Sequence, residues 1–323
     1  MSAVVAVQAV FDAGGEVLSS VMERLEARMA ELATGHGALL SRHAGDTIAA
    51  GGKRLRPLLA CLAAGVPPPD SDGLLRAAVA IELVHGATLV HDDVLDGSAL
   101  RRGRPTVVAA GGRASATATG DLLFSRAFAE LAAGGSAQAV RILARASAEL
   151  AEGELMQRSD AWNLDTPTER YLERCRMKTA VLFRAACELG GLESSEPSTA
   201  LGLFGERIGV AFQILDDVLD VSGPPERTGK PRGTDLLDGT VTLPLILARE
   251  RDPGSGPVNL RELRSAAQAA AVCDWIESTG ALADAKDRAV ALAEDAKALL
   301  SELPARQRSA LELVADGVVE RYA

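Results

Sequence analysis

Apolar and polar positions recur at helical spacing along almost the whole chain. Over 16–32, Val17, Val21, Leu25 and Met29 form one stripe, the three-to-four-residue recurrence of an amphipathic helix. A second such stretch covers 39–50. A glycine-opened basic turn, GGKRLRP at 51–57, follows, and Pro57 suits the first turn of a helix running on through 58–64. The loop at 66–72 offers Asp70 or Asp72 as the cap of a long helix over 73–96. Further helices are expected at 113–133, 137–158, 167–189 and 198–221. A polar loop at 222–238 carries Pro224, Pro225 and Pro231, and a loop of that length suits a lid. Helices are then expected at 241–250, 259–278 and 281–321, the last broken at Pro304. No segment alternates as a strand does, and no linker divides the chain. The pattern predicts one all-α domain over 1–323.

Composition supports that picture. Of 323 residues, 47% are hydrophobic but only 3% aromatic, so alanine and leucine fill the core. The net charge of -10 excludes a nucleic-acid-binding surface as the main function. Cys61, Cys175, Cys187 and Cys273 show no metal-binding spacing and read as small core residues. No apolar run reaches the roughly 18 residues of a membrane span. The first basic residue is Arg24, which does not suit a signal peptide, so a cytoplasmic location is expected.

One acidic pattern breaks the apolar texture twice. The pentapeptide DDVLD occurs at 92–96 and again at 216–220, each time at the end of an apolar helix. Acids four apart share a helical face. Crowded carboxylates call for cations, and two such helix ends facing each other suit Mg²⁺ ions bridged by a diphosphate. Neither copy has the spacing of a calcium-binding EF-hand loop. Against the acidic background, basic residues cluster beside glycine or proline: Lys53, Arg54 and Arg56; Arg101, Arg102 and Arg104; Lys230 and Arg232. Arginine forks and lysine point charges fit phosphate oxygens. His85 and Thr88 share the face of Asp92 and Asp96, and Gln213 belongs in the same way with Asp216. His36 and His43 read as surface or helix-end residues.

Taken in order, GGKRLRP at 51–57, HGATLVHDDVLD at 85–96, RRGRPT at 101–106, GDLLFSRAF at 120–128 and GELMQ at 153–157 make the chain resemble the trans-polyprenyl diphosphate synthase family. KTA at 178–180, FQILDDVLD at 212–220, GKPRGTDL at 229–236 and TLPLI at 242–246 extend the resemblance over nearly the whole chain. It implies a bundle of long helices around a deep central cavity, usually in a homodimer. It also implies Mg²⁺-dependent condensation of isopentenyl diphosphate with an allylic diphosphate, with three ions when substrate is bound. Asp92, Asp96 and Asp216 would hold the allylic diphosphate through the metal, supported by Asp93, Asp217 and Asp220. Lys53, Arg56, His85 and Arg102 would bind isopentenyl diphosphate. Arg101, Lys178 and Lys230 would hold the allylic diphosphate, and Thr179 and Gln213 would line the region where the carbocation forms.

Within such a family, aromatics four or five positions before the first acid make a floor that stops elongation. Here those positions are Thr88 and Ala87, with Val84 and Ile81 below them and Phe124 or Phe128 as the next barrier. A medium- or long-chain all-trans product, beyond the geranylgeranyl length and released to a membrane surface, is therefore expected. The alternatives are a farnesyl or geranylgeranyl synthase and a class I terpene cyclase; the second basic site argues against the cyclase. One position departs from the resemblance: Thr240 stands where many members have a diphosphate-contacting lysine. Arg232 is the residue that could offset it.

Overall fold

The computed structural model describes residues 3–194, 198–224, 231–257 and 259–320. It is helical, in the order the hydrophobic pattern predicts: α1 (Ala3–Leu32), α2 (Ala38–Ala49), α3 (Leu55–Ala64), α4 (Asp72–Asp96), α5 (Val107–Ala133), α6 (Ala137–Asp160), α7 (Thr168–Cys175), α8 (Val181–Gly191), α9 (Ser198–Ser222), α10 (Thr234–Leu237), α11 (Leu243–Arg251), α12 (Ala266–Ser278), α13 (Ala281–Ala298) and α14 (Ala305–Glu320). Helix α4 is central and packs against α5, α3, α8 and α1, while α9 lies between α8 and α13. Small residues allow this close approach: Ala77, Ala78 and Ala80 of α4, Ala60 and Ala63 of α3, and Ala185 and Ala186 of α8 are all buried. All four cysteines are buried, as expected of core residues.

Local chemistry sets where α4 begins and ends. Its cap is Ser71, not either flanking aspartate: the Ser71 hydroxyl accepts from the Leu74 amide at 3.0 Å, worth about 1 kcal/mol. Gly97 closes it in the left-handed conformation (φ 64°), the usual glycine stop. Helix α4 has the length and apolarity to cross a membrane, contrary to the sequence expectation, but 61% of that window is buried inside the bundle. It is the core helix.

Three other expectations need amending. A two-residue antiparallel ladder pairs Leu100–Arg101 (β1) with Arg104–Pro105 (β2). Arg102 (φ 53°) and Gly103 (φ 74°) form its left-handed two-residue turn. Strands this short leave no alternation to read. The expected 222–238 loop contains α10, and its residues 225–230, Lys230 among them, lie outside the described residues. His43 is buried rather than at the surface.

Candidate active site

A cavity of about 390 Å³ opens between α4, α6, the α7–α8 run and α9. Asp92 and Asp96 reach it from α4, and Asp216 from α9. Arg56, His85, Thr88, Arg101, Lys178, Thr179 and Gln213 also line it. His85 and Thr88, which share a helical face with Asp92 and Asp96, and Gln213, which shares one with Asp216, meet here; Arg56, Arg101, Lys178 and Thr179, expected from the resemblance, join them.

The structure divides the six acids of the two pentapeptides. Asp93 is buried and does not line the cavity; Arg101 binds its Oδ1 through Nε at 2.9 Å. Asp217 is buried and doubly held: the Tyr171 hydroxyl donates to its Oδ2 at 2.6 Å and Gln213 Nε2 donates to its Oδ1 at 2.7 Å. Asp220 turns toward α10, where its Oδ2 accepts from the Asp235 amide at 3.2 Å. Asp92, Asp96, Asp216 and Asp217 line the cavity, Asp217 while also holding Tyr171 and Gln213, whereas Asp93 and Asp220 lie off it and hold Arg101 and the start of α10. Burial pushes the Asp92 carboxyl up to about 6, with Lys178 opposing and Glu154 and Asp96 adding to the rise. Burial likewise pushes Asp217 up to about 7, against the two bonds it accepts.

The bonds to Asp217 fix a direction. An ionised carboxylate only accepts, so Gln213 must turn its amide NH₂ toward it. Gln213 Oε1 then accepts from the Thr179 hydroxyl at 2.6 Å. The Thr179 oxygen keeps its lone pairs for the cavity.

Lys178 and Thr179 owe their placement to a π-helical turn, Arg176–Ala180, inserted between α7 and α8. Such turns are uncommon and often mark functional sites. Two glycines make room for it. A Cβ on Gly153 of α6 would lie 2.8 Å from the Lys178 amide nitrogen, and one on Gly209 of α9 would lie 2.5 Å from Ala180 Cα. Lys178 Nζ pairs with Glu154 Oε2 at 2.5 Å.

The basic end is built differently. The Arg56 guanidinium lies over the Phe183 ring, 4.8 Å from its centroid, and burial lowers it to about 10. Its Nε is buried with no hydrogen-bond partner among the described residues. His85 is held well below its ordinary value by burial and by Arg56, Arg102, Arg101 and Arg54, so it is a neutral donor or acceptor. Arg102 lies next door, in a smaller cavity shared with His85, and its guanidinium covers Gly52. Lys53 is exposed and does not line the main cavity. Arg54 is structural: its Nε binds Glu26 at 2.5 Å and its Nη1 binds Glu82 at 2.9 Å.

Among the chain-length candidates, only Thr88 lines the cavity. Ala87 and Val84 are fully buried in the core, and Phe124 is half-buried, stacked on His91 at 5.8 Å. Arg232 does not reach the cavity. It binds Asp274 at 3.0 Å, Glu277 at 2.9 Å and the Val221 carbonyl, so it cannot offset Thr240, which does line the cavity.

Sequence reasoning missed Tyr171, Arg158, Asp235 and Asp238, all on the cavity wall, and Glu154, the partner of Lys178. Glu154 lies within GELMQ and Asp235 within GKPRGTDL, and Arg158 directly follows GELMQ, so motif membership was the available cue for these; Tyr171 and Asp238 carried no signal separating them from ordinary residues.

Among the described residues, no three metal-ligating side chains converge as a ready-made ion site. Asp92 and Asp96 of α4 and Asp216 and Asp217 of α9 bring hard oxygen donors to the cavity from two helices, the donor type that suits ions completing their shells with phosphate oxygens and water. In donor chemistry the site fits Mg²⁺ with a diphosphate.

An all-α bundle with acid-bearing helix ends facing a basic pocket defines the class of enzymes that ionise isoprenoid diphosphates. The Polyprenyl synthetase family model matches residues 38–276. A heptaprenyl diphosphate synthase component 2 of Geobacillus stearothermophilus is 42% identical over 245 residues, 73% of this chain and 77% of that protein. A geranylgeranyl diphosphate synthase of Methanosarcina mazei is 36% identical over 84% of this chain and 86% of its own. The crystal structure of a polyprenyl synthase from Caulobacter crescentus, complexed with calcium and isoprenyl diphosphate, superposes with a TM-score of 0.89 at 38% identity, covering 97% of this chain and 98% of that one. The chain belongs to the polyprenyl synthetase family and is a chain-elongating trans-prenyltransferase.

Proposed function

We propose that this enzyme condenses isopentenyl diphosphate with an allylic diphosphate in the cavity between α4 and α9, giving a medium- or long-chain all-trans polyprenyl diphosphate. The observation that carries this reading is that one cavity is lined both by the carboxylates of Asp92, Asp96 and Asp216 and by Arg56, whose buried Nε has no hydrogen-bond partner among the described residues, with His85. A cyclase that ionises a single diphosphate has no use for a second, metal-independent anion site.

Divalent cations, taken here to be three Mg²⁺ held by Asp92, Asp96 and Asp216, supply charge neutralisation of the leaving diphosphate when bound. The calcium in the Caulobacter structure supports a divalent site. Arg101 and Lys178 add cationic hydrogen bonds to the same group. Arg56, His85 and the neighbouring Arg102 and Lys53 hold isopentenyl diphosphate so that its double bond faces the allylic carbon. The Thr179 hydroxyl, held by Gln213, presents lone pairs to the allylic cation, a preorganised dipole that needs no reorganisation at the moment of ionisation. Elongation then proceeds past Thr88 along the seam of α4 and α5, where Ala87, Val84, Leu123 and Ala127 are small or flexible enough to part. Lys230 belongs to this proposal as a further contact to the allylic diphosphate. So do a homodimer and a cytoplasmic enzyme that releases its product to a membrane surface.

The test is incubation of the purified chain with isopentenyl diphosphate, Mg²⁺ and geranyl, farnesyl or geranylgeranyl diphosphate, followed by mass-spectrometric sizing. Products longer than geranylgeranyl support the reading, and Asp92→Ala or Asp216→Ala should abolish them without unfolding the protein. A wild type that stops at farnesyl diphosphate, or near-normal turnover in either variant, overturns it. The Geobacillus relative is named as one component of its enzyme, so working with the chain alone also tests whether a second subunit is needed.

A further inference from the structure

Among the described residues, two arginines on the cavity wall, Arg158 and Arg174, are used by neither the motif pattern nor the proposed reaction, and Arg158 is the exposed one. Arg158 stands in the last turn of α6 with its side chain on the cavity wall. Its Nη2 donates to Asp96 Oδ1 at 2.6 Å and its Nε donates to Glu154 Oε1 at 2.8 Å. It therefore grips the same carboxylate that the proposed reaction assigns to a divalent cation. A divalent cation held by Asp96 would compete with the Arg158 fork for that carboxylate's charge, freeing Nη2 to turn while Glu154 keeps Nε at the cavity edge.

The segment beside Arg158 brings acids to the cavity wall. The Trp162 amide donates to the Gly239 carbonyl at 2.7 Å, tying the chain just after α6 to the residue before Thr240. Position 240 thus lies next to the helical turn that bears Arg158, and both line the cavity. Around them the wall carries Asp235 and Asp238, while Arg232 is spent on Asp274 and Glu277. A diphosphate bound through Asp96 would meet threonine at 240, which brings no charge. Arg174 also reaches this segment, but it is buried and committed to the Val241 carbonyl and to Asp160, which leaves Arg158 as the exposed guanidinium beside position 240 among the described residues.

We propose that Arg158 is a substrate-binding residue for the allylic diphosphate: it neutralises Asp96 before the substrate arrives, then passes to the diphosphate and supplies the charge that Thr240 lacks. The proposal rests on the prenyltransferase reading of the cavity. An arginine suits the task because its fork can leave one carboxylate oxygen and still engage two phosphate oxygens.

The test is a charge-transfer cycle: wild type, Arg158→Leu, Thr240→Lys and the double variant. Two readouts apply to each: calorimetric binding of the unreactive geranyl thiodiphosphate with Mg²⁺, and steady-state KM for both substrates. Loss of a charge-assisted contact to a diphosphate should weaken the analogue about ten- to a hundredfold in Arg158→Leu and raise KM for the allylic substrate in parallel, with KM for isopentenyl diphosphate unchanged. Thr240→Lys should restore most of that loss in the double variant. A purely structural ion pair would not be rescued from position 240, and the side chain is 42% exposed, so the fold is not at stake. Unchanged analogue affinity in Arg158→Leu, or a loss that Thr240→Lys leaves in place, overturns the proposal while wild-type turnover stands. A wild type that neither binds the analogue nor elongates overturns the underlying reading instead.

Discussion

Replacing Gly153 with alanine should damage the active site from a helix that contributes no catalytic group at that position. Two effects oppose each other. Within a helix, alanine is favoured over glycine by about 0.5–1 kcal/mol, so an unobstructed site would gain stability. At Gly153 the new Cβ would lie 2.8 Å from the Lys178 amide nitrogen, 2.9 Å from Met177 Cβ and 3.0 Å from the Met177 carbonyl carbon. Two of these neighbours are backbone atoms that cannot rotate away. Reaching an ordinary 3.4 Å contact needs a displacement of about 0.6 Å. The π turn has little room to retreat, because Gly209 backs its far side with similar tightness. Overpacking of this kind costs about 1–3 kcal/mol, which exceeds the helical gain, so a net loss on the order of 1 kcal/mol is expected. Function should suffer more than stability. The displaced turn carries Lys178 and Thr179, and errors of about 1 Å in catalytic positioning can cost about a hundredfold in rate. The expected result is kcat/KM down tenfold or more, with a melting temperature lowered by only a few degrees. Gly254→Ala, where nothing lies within 4 Å, is the control and should be silent. A Gly153→Ala enzyme with wild-type turnover and equal or higher melting temperature would refute the idea that this close approach sets the π turn.

Two further outcomes follow from the cavity. Thr88→Phe, at the chain-length position that lines it, should shorten the product seen by mass spectrometry. Ala87→Phe, deeper on the same proposed path and fully buried, should shorten it too and also cost about 1–3 kcal/mol of stability; an unaltered product from Thr88→Phe removes Thr88 from the elongation path. Asp92 links proton and cation binding. Its folded value of about 6 lies above the ordinary 3.8 because of burial, so its contribution to metal-free stability is full below about pH 4 and is lost as pH rises through about 6. Mg²⁺ needs the ionised form and acts in the opposite sense. The stabilisation that Mg²⁺ and inorganic diphosphate give in thermal melts should therefore be full above about pH 7 and fade below about pH 6; an Mg²⁺ response independent of pH between about 5 and 7 contradicts that linkage.

The two pentapeptides show how far the sequence could be read. They are identical residue for residue, and helical spacing put His85 and Thr88 on the face of Asp92 and Asp96, and Gln213 on that of Asp216, all of which line the cavity. Spacing could not show that the copies have different surroundings. In the first, the middle acid is held by Arg101 from a hairpin whose strands are two residues long, too short for any periodic signal. In the second, the middle acid is held by Tyr171 across 46 residues of sequence, a contact only the packing of α7 on α9 creates. The last acid of the second copy follows the four-residue rule along its helix, yet it meets the Asp235 amide at the start of α10 and leaves the cavity. The same limit explains the basic residues: Arg54 and Arg56 are two apart in one motif, but Arg54 turns to Glu26 and Glu82 while Arg56 faces the cavity. Periodicity fixes the face of a helix on which a side chain stands. What that face meets is decided by the neighbouring helix, so the acids and His85, Thr88 and Gln213 were legible, while Tyr171, Arg158 and Asp238, brought to the same wall only by packing, were not.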